Sequence, residues 1–246
     1  MNIRTVLLGI AVALTATAPA AYAGVVISGT RIIHDGAKGA RDTTVHARNA
    51  GQTPAMVQVW LDEGAPEARP GMVHVPFRLT PAEPRLLEAN QRQAFRFTYA
   101  PGPGQTPLPT DRESLFYFNL LDIPPKPADS AGKNLLQFAV RSRLKYFYRP
   151  AGLSGKPREA AGKLEWRVSA DAGGQVLQIR NPSQYYVTLV GIVGKAGVPI
   201  EVDMVAPLAE YSVKVAKGNE VGPKIAFRWI DDYGINVDAE AAVTAL

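Results

Sequence analysis

Cysteine is absent from the 246-residue sequence, which removes zinc–thiolate sites, iron–sulfur clusters, thiol nucleophiles and disulfide frameworks. Histidine is scarce: His34, His46 and His74 are the three, never at metal-ligand spacing, so no metal centre is expected. No apolar run approaches the ~18 residues that would span a bilayer. Also missing are a G-x-S-x-G turn, an H-E-x-x-H helix and a calcium loop of alternating acids. The stretch 101–109, with Gly102, Pro103 and Gly104, lacks the helix and lysine of a phosphate loop. Two adjacent acid pairs, Asp62-Glu63 and Asp231-Asp232, occur, but neighbours on a strand point to opposite faces. Each pair is therefore read as solvated or ion-paired carboxylates. No catalytic constellation assembles, so no enzyme activity and no cofactor are expected.

Apolar residues at 46% and charged residues at 20% match ordinary globular usage, in a chain long enough for two domains. The net charge of +5 is spread along the chain without a basic run, so nucleic acid is not an expected partner. At the N-terminus, Arg4 precedes an apolar stretch from Val6 to Leu14, and Ala21-Tyr22-Ala23 forms a small-x-small site before Gly24. Residues 1–23 thus read as a signal peptide removed on export. Thr15, Thr17 and Pro19 end the apolar stretch early, so no membrane insertion is expected after cleavage.

The remainder predicts an all-β protein: short β-branched or aromatic runs separated by Pro, Gly, Asn and Asp. Strands are expected at 25–33, 43–49, 55–61, 75–80, 92–99, 114–121 and 135–148, the number that fills an immunoglobulin-like sandwich. Arg149-Pro150-Ala151-Gly152-Leu153 then interrupts pairing, which divides the chain into domains 24–150 and 151–246. A second sandwich is expected from strands at 163–169, 176–180, 186–193, 198–204, 210–215 and 225–230. The segment 135–149, LLQFAVRSRLKYFYR, alternates: Leu136, Phe138, Val140 and Leu144 on one face, Arg141, Arg143 and Lys145 on the other. It is long for a strand and last in its domain, where an edge can pair with another chain.

Asp111-Arg112-Glu113-Ser114-Leu115-Phe116-Tyr117-Phe118-Asn119 followed by Ile123-Pro124-Pro125 resembles the signature of periplasmic pilus chaperones, the PapD-like family. Further blocks agree in order: Thr30-Arg31, Lys145 with Phe147-Tyr148-Arg149-Pro150, Asn181-Pro182, Met204-Val205-Ala206-Pro207 and Asp232-Tyr233-Gly234. The resemblance implies two immunoglobulin-like domains set as a boomerang around a cleft. It implies a periplasmic, non-enzymatic chaperone that captures pilus subunits by donor-strand complementation, prevents premature polymerisation and delivers them to an outer-membrane usher. Self-association of the free protein through the same apolar edge is left open.

By the same resemblance, Arg31 and Lys145 anchor the subunit's terminal carboxylate, Leu136, Phe138 and Val140 enter its groove, and Glu113, Arg149 and Asp232 form an interdomain charge network. Phe138 and Lys145 have opposite parity, so serving one bound chain calls for a bulge or twist near residues 141–143. The family's frequent C-terminal disulfide is missing, and the short loop at 126–134 is similar to that of chaperones serving rod-like pili. The alternatives are a secreted sandwich adhesin or pilus subunit, which should lack its last strand, and an enzyme built on sandwiches.

Overall fold

The computed structural model describes residues 24–36, 39–126 and 136–246; the expected signal peptide and most of the 126–134 loop lie outside them. The chain begins with β1 (Val25–Ile27), β2 (Arg31–Asp35), β3 (Asp42–Asn49), β4 (Ala55–Asp62), β5 (Phe77–Thr80), β6 (Arg85–Leu87), β7 (Arg92–Tyr99), β8 (Ser114–Ile123) and β9 (Val140–Arg149). They form two layers, β1-β3-β7-β5 and β2-β9-β8-β4-β6.

The expected first strand is two strands. β1 pairs antiparallel with β3 in one layer, whereas β2 pairs parallel with β9 in the other. The crossing falls at Gly29, whose φ of 88° is a turn geometry that a side chain would strain. Alternation does the rest. Val45 and Ala47 on β3 and Phe95 and Phe97 on β7 are buried between exposed or half-exposed neighbours, as period-two strands with one face on a core require. Phe97 meets Phe118 edge-on at 5.8 Å and Tyr146 at 5.5 Å. Each such ring, fully buried, contributes about 1.5–3 kcal/mol.

A short helix (Pro157–Ala160) continuing as a 3₁₀ turn (Ala161–Lys163) leads into β10 (Glu165–Asp171), β11 (Gly174–Arg180), β12 (Val187–Val193), β13 (Pro199–Ile200), β14 (Met204–Val205), β15 (Glu210–Ala216), β16 (Lys224–Ile230) and β17 (Asn236–Ala245). The expected strand at 198–204 is split into β13 and β14, each pairing with β12. The unexpected β17 joins this half together: antiparallel to β16, and parallel to β10 at Trp166↔Val243 through Val168↔Ala245. Its inward residues, Val237, Ala239, Ala241 and Val243, pack on a core of Trp166, Leu177, Ile179 and Phe227. That core and the one containing Phe97 and Phe118 are separate clusters.

Candidate functional site

Where the two halves meet, the outer face of β9 lies against the second half. Arg31 and Lys145 are register partners in the parallel β2–β9 ladder, so their side chains emerge on one face, opposite to that of buried Tyr146. Arg31 Nη1 donates to the Ile230 carbonyl at 3.1 Å, across from β16. Its guanidinium lies 5.7 Å from the Phe147 ring centroid, and its buried Nε has no hydrogen-bond partner. Among the described residues Lys145 Nζ reaches only Asp203, at 3.5 Å, whose side chain is 77% exposed.

Burial pulls both cations below their ordinary pKa values. For Arg31, desolvation outweighs the carboxylates of Asp232, Asp231 and Glu113. For Lys145, desolvation outweighs Asp203, with the charge of Arg31 adding to the depression. Of these two half-buried cations, one keeps an unspent donor and the other is loosely paired, so both have capacity left for a charge-assisted bond.

Beside them, Glu113, Arg149 and Asp232 do come together. Arg149 Nε donates to Glu113 Oε1 at 2.7 Å, and its two terminal nitrogens donate to Asp232 at 3.0 and 3.1 Å. Glu113 also accepts the Tyr186 backbone N–H at 2.7 Å and gives its own to the Gln184 carbonyl. Burial pushes the Glu113 carboxyl above its ordinary value, which the Arg149 charge only partly offsets. Arg149 is held above its own ordinary value: burial opposes its charge, but the bonds to Asp232 and the charge of Glu113 outweigh it.

Leu136, Phe138 and Val140 are 79%, 68% and 59% exposed. The strand expected over 135–148 starts its ladder at Val140 and runs to Arg149. From there β8 lies along one flank without a register shift, so of the bulge or twist expected near 141–143 the bulge is not present. On the other flank β2 pairs only from Lys145 onward. Among the described residues, 140–144 therefore have no neighbouring strand on that side, and the sheet edge is open.

A cluster that sequence patterning did not single out holds the outer face of this edge. Fully buried Asp62 on β4 receives Arg143 at 2.6 Å, Asn119 at 2.8 Å, the Gly64 backbone N–H at 2.7 Å and Arg141 at 3.4 Å. Arg141 lies over Trp60 and Arg143 over Tyr117, at 4.9 and 3.8 Å. The signals in the sequence are the pair of arginines at alternate positions of one strand and the reading of Asp62 as a solvated or ion-paired carboxylate, of which the ion-paired state is found. The arginines and their common acceptor are about eighty residues apart.

Family models match most of the chain: residues 24–154 fit the pili and flagellar-assembly chaperone PapD N-terminal domain, and residues 159–241 the pili assembly chaperone PapD C-terminal domain. The chain is 42% identical over 234 residues to the chaperone protein FimB/FhaD of Bordetella pertussis, covering 94% of this chain and 92% of that one. It is 40% identical over 226 residues to the probable fimbrial chaperone YadV of Escherichia coli, covering 89% of each. The crystal structure of the YadV chaperone superposes with a TM-score of 0.72 at 35% identity, over 89% of this chain and all of that one. A Salmonella enterica SafA pilin in complex with the SafB chaperone gives 0.72 at 25% identity, over 92% of this chain and 98% of that one.

Proposed function

This chain belongs to the PapD family of pilus-assembly chaperones, and we propose that it binds a pilus subunit in the periplasm by lending it the open edge of β9. The carrying observation is the edge itself: a strand with one unpaired flank and three exposed apolar residues of one parity leading into it. A pilin with a missing strand has an apolar groove that such an edge fills with backbone hydrogen bonds and alternate side chains. A chain laid along 140–144 occupies the lane that β2 takes from Lys145 onward, so its end meets Arg31 and Lys145. The C-terminal carboxylate can then be gripped on the cleft face while its upstream residues pair with the strand, and no bulge is needed.

Completion in this way hides the subunit's groove from other subunits and holds it for transfer to an outer-membrane usher. The work is binding, without chemistry. A pilus subunit or adhesin would lack its own last strand, whereas here β9 supplies Tyr146, fully buried, to its own core. The reading keeps 24–150 and 151–246 as the two working domains.

The test is periplasmic co-expression with candidate pilus subunits and pull-down through a tag on this chain. The parent should retain its cognate subunit, and Arg31→Ala, Lys145→Ala and Phe138→Asp should each fold and lose it. Undiminished recovery by all three would overturn the assignment.

A further inference from the structure

On β8, Asp122 is 8% exposed. One carboxylate oxygen, Oδ2, accepts the Val25 backbone N–H at 2.9 Å; the other, Oδ1, is buried with no hydrogen-bond partner. The groove beside it is lined by residues including Gly24, Thr53, Pro54, Phe138 and Val140, and among the described residues no lysine or arginine contributes to it. A buried carboxylate oxygen left without a donor is costly.

Gly24 is pressed against that carboxylate. Its carbonyl accepts the Ala50 N–H at 3.1 Å, and a Cβ at position 24 would overlap Asp122 Oδ2. The nitrogen of Gly24 is one bond from the Cα that makes this approach. In the uncut chain it is a neutral amide with a single N–H. A leader-removing peptidase adds water across the Ala23–Gly24 bond, leaving a carboxylate on Ala23 and an ammonium with three donors on Gly24. The matched chaperone domain begins at residue 24 as well.

We propose that Asp122 is a built receptor for the α-ammonium of Gly24, so that removal of the leader supplies the donor that its buried oxygen lacks. The pair ties β1 to β8 beside Val140, which is the register partner of Asp122 on β9. Maturation thereby completes one wall of the groove that Phe138 and Val140 also line. This depends on cleavage after Ala23 and not on subunit capture, so its failure would leave the proposed function standing.

Intact mass of the exported protein identifies its first residue, and a residue other than Gly24 overturns the proposal. Two forms released from one fusion, beginning at Gly24 or at Ala23, are then melted with and without Asp122→Asn. The Gly24 form should melt about 2–6 °C higher, and Asp122→Asn should abolish the difference. In the parent, the Gly24 amine followed by NMR with labelled glycine should titrate above the ~8 of a free α-amino group. Equal melting of the two parent forms, or a difference that survives Asp122→Asn, would show that no such pair forms.

Discussion

Arg31 and Lys145 face the cleft as register partners of one parallel ladder, yet they are held differently: Arg31 bonds a backbone carbonyl, while Lys145 has, among the described residues, only the exposed Asp203 at 3.5 Å. Asp203 therefore competes with any carboxylate that approaches Lys145. Asp203→Asn should tighten subunit capture several-fold, whereas Arg31→Lys, which gives up a two-pronged grip, should weaken it by about tenfold or more. Titration of a subunit against each variant checks both. Weaker binding by Asp203→Asn would mean that the aspartate positions Lys145 instead of competing for it.

Leu136, Phe138 and Val140 make a second prediction through their exposure. A side chain in solvent contributes little to its own domain, so replacing each by serine should move Tm by no more than about 1 °C. Capture should fall with each substitution, because every groove-filling residue would lose about 1.5–3 kcal/mol of burial in the complex. A large Tm loss for Phe138→Ser would assign that ring to the chaperone's own packing.

The Arg149 network spans the halves. Removing a buried cation strands two carboxylates, so Arg149→Met should cost about 3–5 kcal/mol, and Glu113→Gln added to it should recover part of the loss. Small-angle scattering should show a changed mean separation of the halves in the single variant. An unchanged profile with full stability would reduce the network to a surface ornament.

Legibility from sequence followed the physics of each element. β3 and β7 alternate strongly, and their bounds were readable to within a residue or so. β17 was invisible because its inward positions include Ala239 and Ala241, and alanine is a weak strand former. β6, with three residues, is too short to carry a period. The Glu113–Arg149–Asp232 cluster was reachable only through family resemblance, since its members are 36 and 83 residues apart. Asp62 was legible only as a solvated or ion-paired carboxylate, and ion-paired it is; its partners and its burial were not legible, because it lies on the outer face of its sheet and is covered by arginines from another strand.

For Asp62, burial alone would raise the carboxyl, but the bonds from Arg143, Asn119 and Gly64 overcome it and hold the group below the ordinary aspartate value. Stability from such a group is present above the unfolded-state pKa and is lost as pH falls through the lower folded value. Asp62→Asn should cost about 3 kcal/mol at neutral pH and flatten the acid limb of the stability curve. It should also speed hydrogen exchange of residues 140–144, because Arg141 and Arg143 are what tie the outer face of that edge to β4. Exchange unchanged at those amides would leave Asp62 with no part in shaping the edge.

His34 adds a second acid-sensitive group to the same domain, one kept neutral by burial where Asp62 is kept charged. It is fully buried, and its Nδ1 lies 2.7 Å from the Tyr146 hydroxyl. That phenol is kept protonated because burial raises its pKa, so it can donate to a neutral imidazole. Phe77 on β5 and Tyr148 on β9 pack against the ring. Burial lowers the His34 pKa, while the Ala40 backbone contact and the charges of Asp42 and Asp35 oppose the shift without cancelling it. A base with a depressed folded pKa binds fewer protons folded than unfolded between the two values, so stability rises with pH across that window. The protein should therefore lose stability as pH drops below about 6.5, the unfolded histidine value. Denaturant melts at pH 7.5 and 5.5 should differ in the parent, and His34→Gln, which can still accept the Tyr146 hydroxyl proton, should remove most of that difference. A slope that survives the substitution would trace the acid sensitivity to another group.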